Sequence, residues 1–207
     1  MTDNTAILVV SFGTSFNESR RLAIGAIEDS IAMAFPNYDV RRALAGQRVI
    51  DRIKERDGLE IDNIKEALER AAEDGITRLV VQPTYLLDGY EYANLQDTLK
   101  MYGNDFQEMA LGKPLLSDET DFAAVIKAVT GKTALYNDGQ TAICFIGHGT
   151  QAESNSVYVK MQKQMASQGF DNYYIGTLKA EPSLSDVVAA LEEKSVYRKV
   201  VLAPLMV

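Results

Sequence analysis

Short apolar runs alternate with helical patterns along this chain. The run AILVVSF (6–12) has the length and composition of a strand buried on both faces. TRLVVQP (77–83) and FQEMALG (106–112) are predicted as further strands, and YDVRRAL (38–44) is a further candidate strand. Apolar spacing, capping residues and chain breakers predict helices between and after these strands. The predicted helices are 17–35, 46–56, 62–74 (with Asp62 as its N-cap), one that follows the loop 84–92 and ends near residue 102, and 117–131. Alternating strands and helices predict an α/β fold with parallel sheets flanked by helices.

The pattern of the first half then recurs. TAICFIGHGTQ (141–151) matches TAILVVSFGTS (5–15), and YRKVVLAPLMV (197–207) matches ITRLVVQPTYL (76–86). The chain is therefore predicted to contain two similar α/β halves.

These halves predict two lobes, 1–131 and 137–207, which we expect to face each other across a cleft. The first half continues for a loop, a helix, a strand and a helix beyond Pro83. The second half ends three residues after the equivalent Pro204, so we expect it to be incomplete.

Composition narrows the functional class. The chain of 207 residues has 29 acidic and 21 basic residues and a net charge of −8, which disfavours nucleic acid and anionic membranes as partners. No stretch resembles a signal peptide or approaches the ~20 apolar residues of a membrane span. Cys144 is the single cysteine, so no internal disulfide forms, and we expect a cytoplasmic protein.

Ligands of open parallel sheets bind beyond the carboxyl ends of the strands, so the loops there are the first candidates for a site. In SFGTSFN (11–17), Gly13 permits close backbone approach, and Ser11, Thr14 and Ser15 add hydroxyls at a helix N-terminus. This loop is a candidate anion site or a plain strand-to-helix connection. Neither a Walker lysine nor a GxGxxG pattern accompanies it, so nucleotide binding has no support.

The only histidine, His148, lies between two glycines at the end of an apolar run. An imidazole there is a candidate metal ligand or general base, since free histidine side chains gain and lose a proton near neutral pH. The alternative is a loop histidine that makes local hydrogen bonds.

The loop YLLDGYEY (85–92) ends the equivalent strand of the first half. Its carboxylates, Asp88 and Glu91, are either solvated surface groups or cleft residues. Its tyrosines suit a flat apolar ligand or simple packing: Tyr85, Tyr90 and Tyr92.

The set of motifs LVVSFGTS, RDGLEID, LDGYEY, LGKPLLS, IGHGT and APLMV, in this order, resembles the anaerobic cobaltochelatases. These ATP-independent class II chelatases insert Co²⁺ into sirohydrochlorin during cobalamin (vitamin B12) biosynthesis. The resemblance covers the whole chain and implies two α/β lobes around a tetrapyrrole cleft. It also implies a second histidine in a segment beyond residue 207, which agrees with a chain truncated at its C-terminus.

Carried onto this sequence, the resemblance implies that His148 is the metal ligand and that His148 and Glu91 are the catalytic residues. The remaining loop residues would contact the macrocycle: Ser11, Phe12, Gly13, Thr14, Ser15, Tyr85, Gly89, Tyr90, Gly147 and Gly149. At a position where many relatives have a glutamate, this chain has Lys179, with Glu181 two residues later.

The resemblance implies sirohydrochlorin or a related tetrapyrrole as partner and a divalent metal as second substrate, without ATP. Co²⁺ is favoured, while Ni²⁺ and Fe²⁺ stay open because imidazole suits all three ions. An incomplete second sheet would leave one of its faces uncovered, so we expect that the protein can form homo-oligomers. The competing interpretations are a degenerate tetrapyrrole or haem binder without insertion activity, and a generic two-lobed small-molecule binder.

Overall fold

The computed structural model describes residues 4–207. The strands are β1 (Thr5–Ser11), β2 (Asp39–Leu44), β3 (Arg78–Pro83), β4 (Glu108–Leu111), β5 (Thr141–Gly147), β6 (Tyr173–Thr177) and β7 (Lys199–Pro204). The α-helices are α1 (Asn17–Ser19), α2 (Ala26–Ala34), α3 (Gln47–Asp57), α4 (Ile64–Glu73), α5 (Tyr90–Tyr102), α6 (Glu119–Thr133), α7 (Ser156–Ser167) and α8 (Leu184–Lys194). A π-helical turn (Arg20–Gly25) joins α1 to α2, and short 3-10 turns cover Ala134–Tyr136 and Glu153–Asn155.

The strands form two parallel sheets. The first has the order β2-β1-β3-β4 and the second the order β6-β5-β7. Helices connect consecutive strands, as parallel pairing requires. The predicted α/β class with two parallel sheets flanked by helices is confirmed.

The duplication seen in the sequence is also present in the strand pairing. β1 lies between the next two strands of its sheet, and β5 does the same in the second sheet. Val10 pairs with Pro83 in the first sheet, and the equivalent Ile146 pairs with Pro204 in the second. Both sheets therefore use the same pairing register around their first strand.

The chain divides into two compact units. The first comprises the described residues up to Leu115 together with Val207, and the second comprises Leu116–Met206. Helix α6 groups with the second unit, whereas the sequence analysis placed it at the end of the first lobe. The lobe boundaries 1–131 and 137–207 stay a prediction.

Each unit has its own apolar core. In the first, Leu8 and Leu79 of the sheet are buried against Leu68 of α4 and Leu95 of α5. Burial of one such leucine contributes roughly 1.5–3 kcal/mol.

In the second unit, Met161 and Met165 are buried on one face of α7. Cys144 is buried too, and this burial raises the pKa of its thiol to about 11, which leaves the thiol protonated and unreactive.

Strand β7 lies at one edge of its sheet and keeps apolar side chains exposed. Leu202 is 69% and Val200 47% exposed. None of the helices described for residues 4–207 has the length and apolar character that a bilayer span requires.

Candidate active site

His148 directly follows the last residue of β5, at the carboxyl end of the central strand of its sheet. Its side chain is exposed, whereas the glycines on either side, Gly147 and Gly149, are buried. The strand therefore carries the imidazole to the surface at the edge where ligands of parallel sheets bind.

Close packing explains both glycines. A Cβ atom on Gly147 would collide with the ring of Tyr158. Gly149 has a φ of +76°, and a Cβ there would lie 2.9 Å from the backbone nitrogen of Ala180. Because both neighbours of His148 are glycines, no side chain of an adjacent residue covers the imidazole.

The segment after β6, residues 177–183, is hydrogen-bonded to the His148 loop. The side chain of Asn155 accepts from Thr150 N at 3.0 Å and donates to Glu181 O at 2.5 Å. The side chain of Gln151 donates to Lys179 O at 2.9 Å. These bonds connect two loops that end neighbouring strands, so they hold the backbone around His148.

Asn155 was not identified in the sequence analysis. One of its partners, Thr150, is five residues away in the sequence and the other, Glu181, is 26 residues away. No local sequence pattern therefore predicts its role. Tyr158 was missed for a similar reason: its hydroxyl accepts from the backbone N–H of Gly149, and burial raises its pKa.

The SFGTS loop occupies the equivalent place after β1. Gly13 has a φ of +100° and a Cβ there would lie 2.9 Å from Leu44 Cδ1, which explains why glycine stands at this turn as at Gly149. Ser11 is buried and its hydroxyl accepts from Thr84 Oγ1 at 2.9 Å. Phe12, in contrast, is 50% exposed.

The rest of this loop is anchored by Arg20. Its guanidinium donates to Thr14 O at 3.3 Å and to Asn17 Oδ1 at 3.0 Å. Ser15 is buried and Phe16, rather than Asn17, is the N-cap of α1. Phe12 is therefore the candidate in this loop with the most open side chain.

Glu91 lies in the first turn of α5, and its side chain is exposed. The N-cap is Gly89, where a Cβ would lie 3.5 Å from Glu91 Oε2. A carboxylate in the first turn interacts favourably with the helix dipole. The adjacent Tyr90 is 61% exposed.

Tyr85 is buried behind this carboxylate. Its hydroxyl meets no hydrogen-bond partner within the described part of the chain, residues 4–207. Burial, and secondly the charge of Glu91, raise the pKa of Tyr85 to about 12. The phenol thus stays neutral beside Glu91 at all physiological pH values.

A groove of about 500 Å³ runs along the first unit beside Glu91. Its walls combine apolar and polar side chains: Phe12, Leu44, Ala45, Gln47, Asn63, Ile64, Lys65, Tyr90, Glu91, Asn94, Leu95 and Thr98. Three predicted site residues, Phe12, Tyr90 and Glu91, are therefore brought together by the fold.

The groove lies where a ligand of this sheet is expected. It is bounded by residues at or just after the ends of β1 and β2, by the start of α4 and by one side of α5 from Tyr90 to Thr98. Of the predicted site residues in this unit, Ser11, Gly13, Thr14, Ser15, Tyr85 and Gly89 lie outside its lining.

Potential metal-ligating side chains are scattered rather than clustered in residues 4–207. Within residues 4–207, no group of three or more His, Cys, Asp and Glu side chains is placed to hold an ion. A single imidazole and a single carboxylate are ordinary ligands of first-row divalent metals, but each alone binds weakly.

Fold and site together describe an α/β protein of two units, with an exposed imidazole and an exposed carboxylate beyond strand ends. The family model for cobalt chelatase (CbiK) matches residues 5–207. This chain therefore belongs to the cobalt chelatase family and is a metal chelatase.

Two curated relatives agree with this assignment. The sirohydrochlorin cobaltochelatase of Salmonella typhimurium is 28% identical over 201 residues, covering 97% of this chain and 75% of the relative. The sirohydrochlorin cobaltochelatase CbiKC of Nitratidesulfovibrio vulgaris is 23% identical over 202 residues, covering 97% of this chain and 70% of the relative.

Proposed function

We propose that this chain inserts Co²⁺ into sirohydrochlorin, with His148 and Glu91 as the catalytic residues. The proposal rests on the family match across residues 5–207. The structural observation that carries it is the exposed His148, held between two buried glycines at the carboxyl end of β5.

The reaction has simple requirements. The macrocycle supplies four nitrogen donors, so the protein needs only weak ligands that hold the ion while its water molecules leave. Metal insertion exchanges one divalent cation for the two pyrrole protons, so a proton acceptor is also needed. We assign metal delivery to His148 and proton acceptance to Glu91, with His148 as a second acceptor once the metal has left it.

The planar substrate requires apolar, flat contacts. In the groove beside Glu91, the half-exposed rings of Phe12 and Tyr90 offer such surfaces. We assign to Ser11, Gly13, Thr14, Ser15, Tyr85 and Gly89 the placement of these groups. Gly147 and Gly149 do the same for His148.

The ligand types also indicate which metal ions the protein accepts and whether the reaction needs ATP. Ni²⁺ and Fe²⁺ are expected to compete with Co²⁺, because imidazole and carboxylate bind all three. ATP is not required in this proposal, since coordination by the macrocycle itself drives the transfer. We place the reaction in the cytoplasm, where a protein with a single buried cysteine is stable.

Anaerobic insertion of Co²⁺ into sirohydrochlorin, without ATP and followed by visible absorbance, tests the function. The wild-type chain should exceed the uncatalysed rate, and His148→Ala and Glu91→Gln should each lower kcat by roughly 10²-fold. Asp88→Asn removes an exposed carboxylate three residues from Glu91 that does not line the groove, and should leave kcat unchanged.

The outcomes separate the competing functions. Nothing in the comparisons favours a tetrapyrrole or haem binder without insertion activity. That alternative would nevertheless replace the proposal if the wild-type chain shifted the tetrapyrrole spectrum but inserted cobalt no faster than buffer. Full activity of His148→Ala would remove the histidine from the mechanism.

A further inference from the structure

The groove beside Glu91 contains a positive charge that the proposed reaction has not used. Of the described residues that line it, Lys65 is the only one with a basic side chain. Lys65 lies in the first turn of α4 and is exposed.

The carboxylates around Lys65 are engaged elsewhere. Glu66 accepts from the backbone N–H of Asn63 at 2.8 Å, as part of the capping box of α4. Glu69 accepts from the hydroxyl of Tyr102 at 2.9 Å. Across residues 4–207, no carboxylate lies within 4.0 Å of the Lys65 ammonium group.

Two other polar residues that line the groove, Asn63 and Gln47, are neutral and already paired. Asn63 Nδ2 donates to Gln47 Oε1 at 3.3 Å, and Gln47 Nε2 donates to Asp51 Oδ1 at 2.8 Å. An anion entering here would therefore meet one unpaired ammonium group beside an apolar wall formed by Leu44 and Ile64.

We propose that Lys65 is a specificity-determining residue that binds a peripheral carboxylate of the macrocycle. This inference rests on the proposed function. The substrate is a flat ring surrounded by carboxylate side chains, while the protein carries a net charge of −8. Local attraction must therefore offset general repulsion, and Lys65 supplies it in the same groove as Glu91, Phe12 and Tyr90.

Steady-state insertion kinetics test the proposal. Lys65→Ala should raise KM for sirohydrochlorin about five-fold and leave kcat unchanged, as expected for loss of one partly exposed charged contact. Lys65→Arg keeps the charge and should restore KM to within about two-fold of the wild type.

The matched control is Lys100→Ala. Lys100 lies on α5 outside the groove and pairs with Asp97 at 2.8 Å, so its removal changes the net charge equally without touching the groove. An equal rise of KM in Lys65→Ala and Lys100→Ala would show a general charge effect and overturn the proposal. An unchanged KM in Lys65→Ala would also overturn it.

Binding without turnover separates this inference from the proposed function. In a fluorescence titration with metal-free porphyrins, Lys65→Ala should weaken binding of an octacarboxylate porphyrin about five-fold and affect a dicarboxylate porphyrin less. If the wild-type chain binds the octacarboxylate but inserts no cobalt, the proposed function fails while this titration still decides the role of Lys65. Equal weakening for both porphyrins would contradict a carboxylate contact.

Discussion

The hydroxyl of Tyr85 is buried beside the candidate carboxylate Glu91, without a hydrogen-bond partner among residues 4–207. A buried, unsatisfied hydroxyl lowers stability, by about 1–3 kcal/mol, because it has lost its bonds to water. Replacing it with an apolar group of the same shape removes this cost. Phenylalanine has the shape of tyrosine without the hydroxyl, so Tyr85→Phe tests the effect of this hydroxyl without changing the packing.

We expect Tyr85→Phe to be as stable as the wild type or more stable at pH 7, and to change the alkaline stability profile. The pKa of Tyr85 is raised to about 12 in the folded state, against 10.0 in its ordinary environment. Between these values the unfolded chain loses the proton and the folded chain keeps it. Stability of the wild type therefore falls as pH rises, by about 2–3 kcal/mol from this group.

Urea unfolding at several pH values between 8 and about 11.5 measures this difference. The wild type should lose more unfolding free energy than Tyr85→Phe as pH rises. Tyr38→Phe, which removes an exposed phenol, serves as the control. If the unfolding free energies of the wild type and Tyr85→Phe fell equally with rising pH, the Tyr85 hydroxyl would not be buried away from water.

Among individual residues, the sequence identified those whose type is unusual for their position in the chain. His148 was recognisable because it is the only histidine and because glycines flank it at a strand end. Asn155 and Lys65 were not recognisable. Asn155 works through a carbonyl that is distant in the sequence, and Lys65 matters because of the groove that α4 and α5 form together.

The loop after β5 and the loop after β6 are held together by side chains that precede or begin helix α7. Asn155 makes two of these hydrogen bonds, to Thr150 N and Glu181 O. Leucine has a similar size but can form neither bond. Asn155→Leu should therefore lower stability by about 1–2 kcal/mol and release the loop that carries His148.

If the loop positions His148, Asn155→Leu should also lower kcat for cobalt insertion by roughly ten-fold, with little change in KM for the macrocycle. Asn155→Asp keeps the acceptor for Thr150 N and should lie between the wild type and Asn155→Leu. Insertion kinetics and thermal unfolding on the same preparations test both statements.

The chain offers a matched control for this substitution. Asn172 precedes β6, and its side chain donates to Thr141 O at 2.8 Å and Asn137 Oδ1 at 2.9 Å, at the opposite end of the strands. Asn172→Leu should cost similar stability but leave kcat unchanged. Equal losses of kcat in both variants would mean that general destabilisation, and not loop position, lowers the activity.

Element by element, the repeated pattern made the fold predictable. The predicted strand runs are present in the structure, and the matched segments 5–15 and 141–151 each contain a strand followed by a glycine with positive φ, Gly13 and Gly149. Helix ends were less accurate. The predicted cap Asp62 is wrong, because Asn63 forms the capping box with Glu66, and the π-helical turn Arg20–Gly25 has no local signal.

On the scale of the whole molecule, the sequence does not specify which helix belongs to which unit. The sequence repeat predicted the boundary between the two lobes in the segment 131–137. Helix α6, which precedes it, instead packs on α7: Glu119 forms an ion pair with Lys160 and accepts from Gln164 at 2.6 Å. These contacts join helices that are far apart in the sequence, so the pattern of strands does not predict them.

Net charge acts on the whole molecule and sets the salt dependence of the reaction. The protein carries a charge of −8 and the proposed macrocycle is a polyanion, so the two repel each other over long distances. Raising ionic strength from about 10 mM to about 150 mM shortens the Debye length from about 30 Å to about 8 Å. This screens long-range repulsion strongly, but a close contact such as that proposed for Lys65 much less.

We therefore expect kcat/KM for sirohydrochlorin to rise with ionic strength when Co²⁺ is saturating, because saturation removes the opposite effect of salt on capture of the cation. The rise should be steeper for Lys65→Ala, which loses the local attraction and becomes more negative. Stopped-flow absorbance at several concentrations of a weakly coordinating salt measures both slopes. A falling kcat/KM in the wild type would mean that local cations outweigh the net charge in steering the substrate, and the acidic surface would then have no part in limiting association.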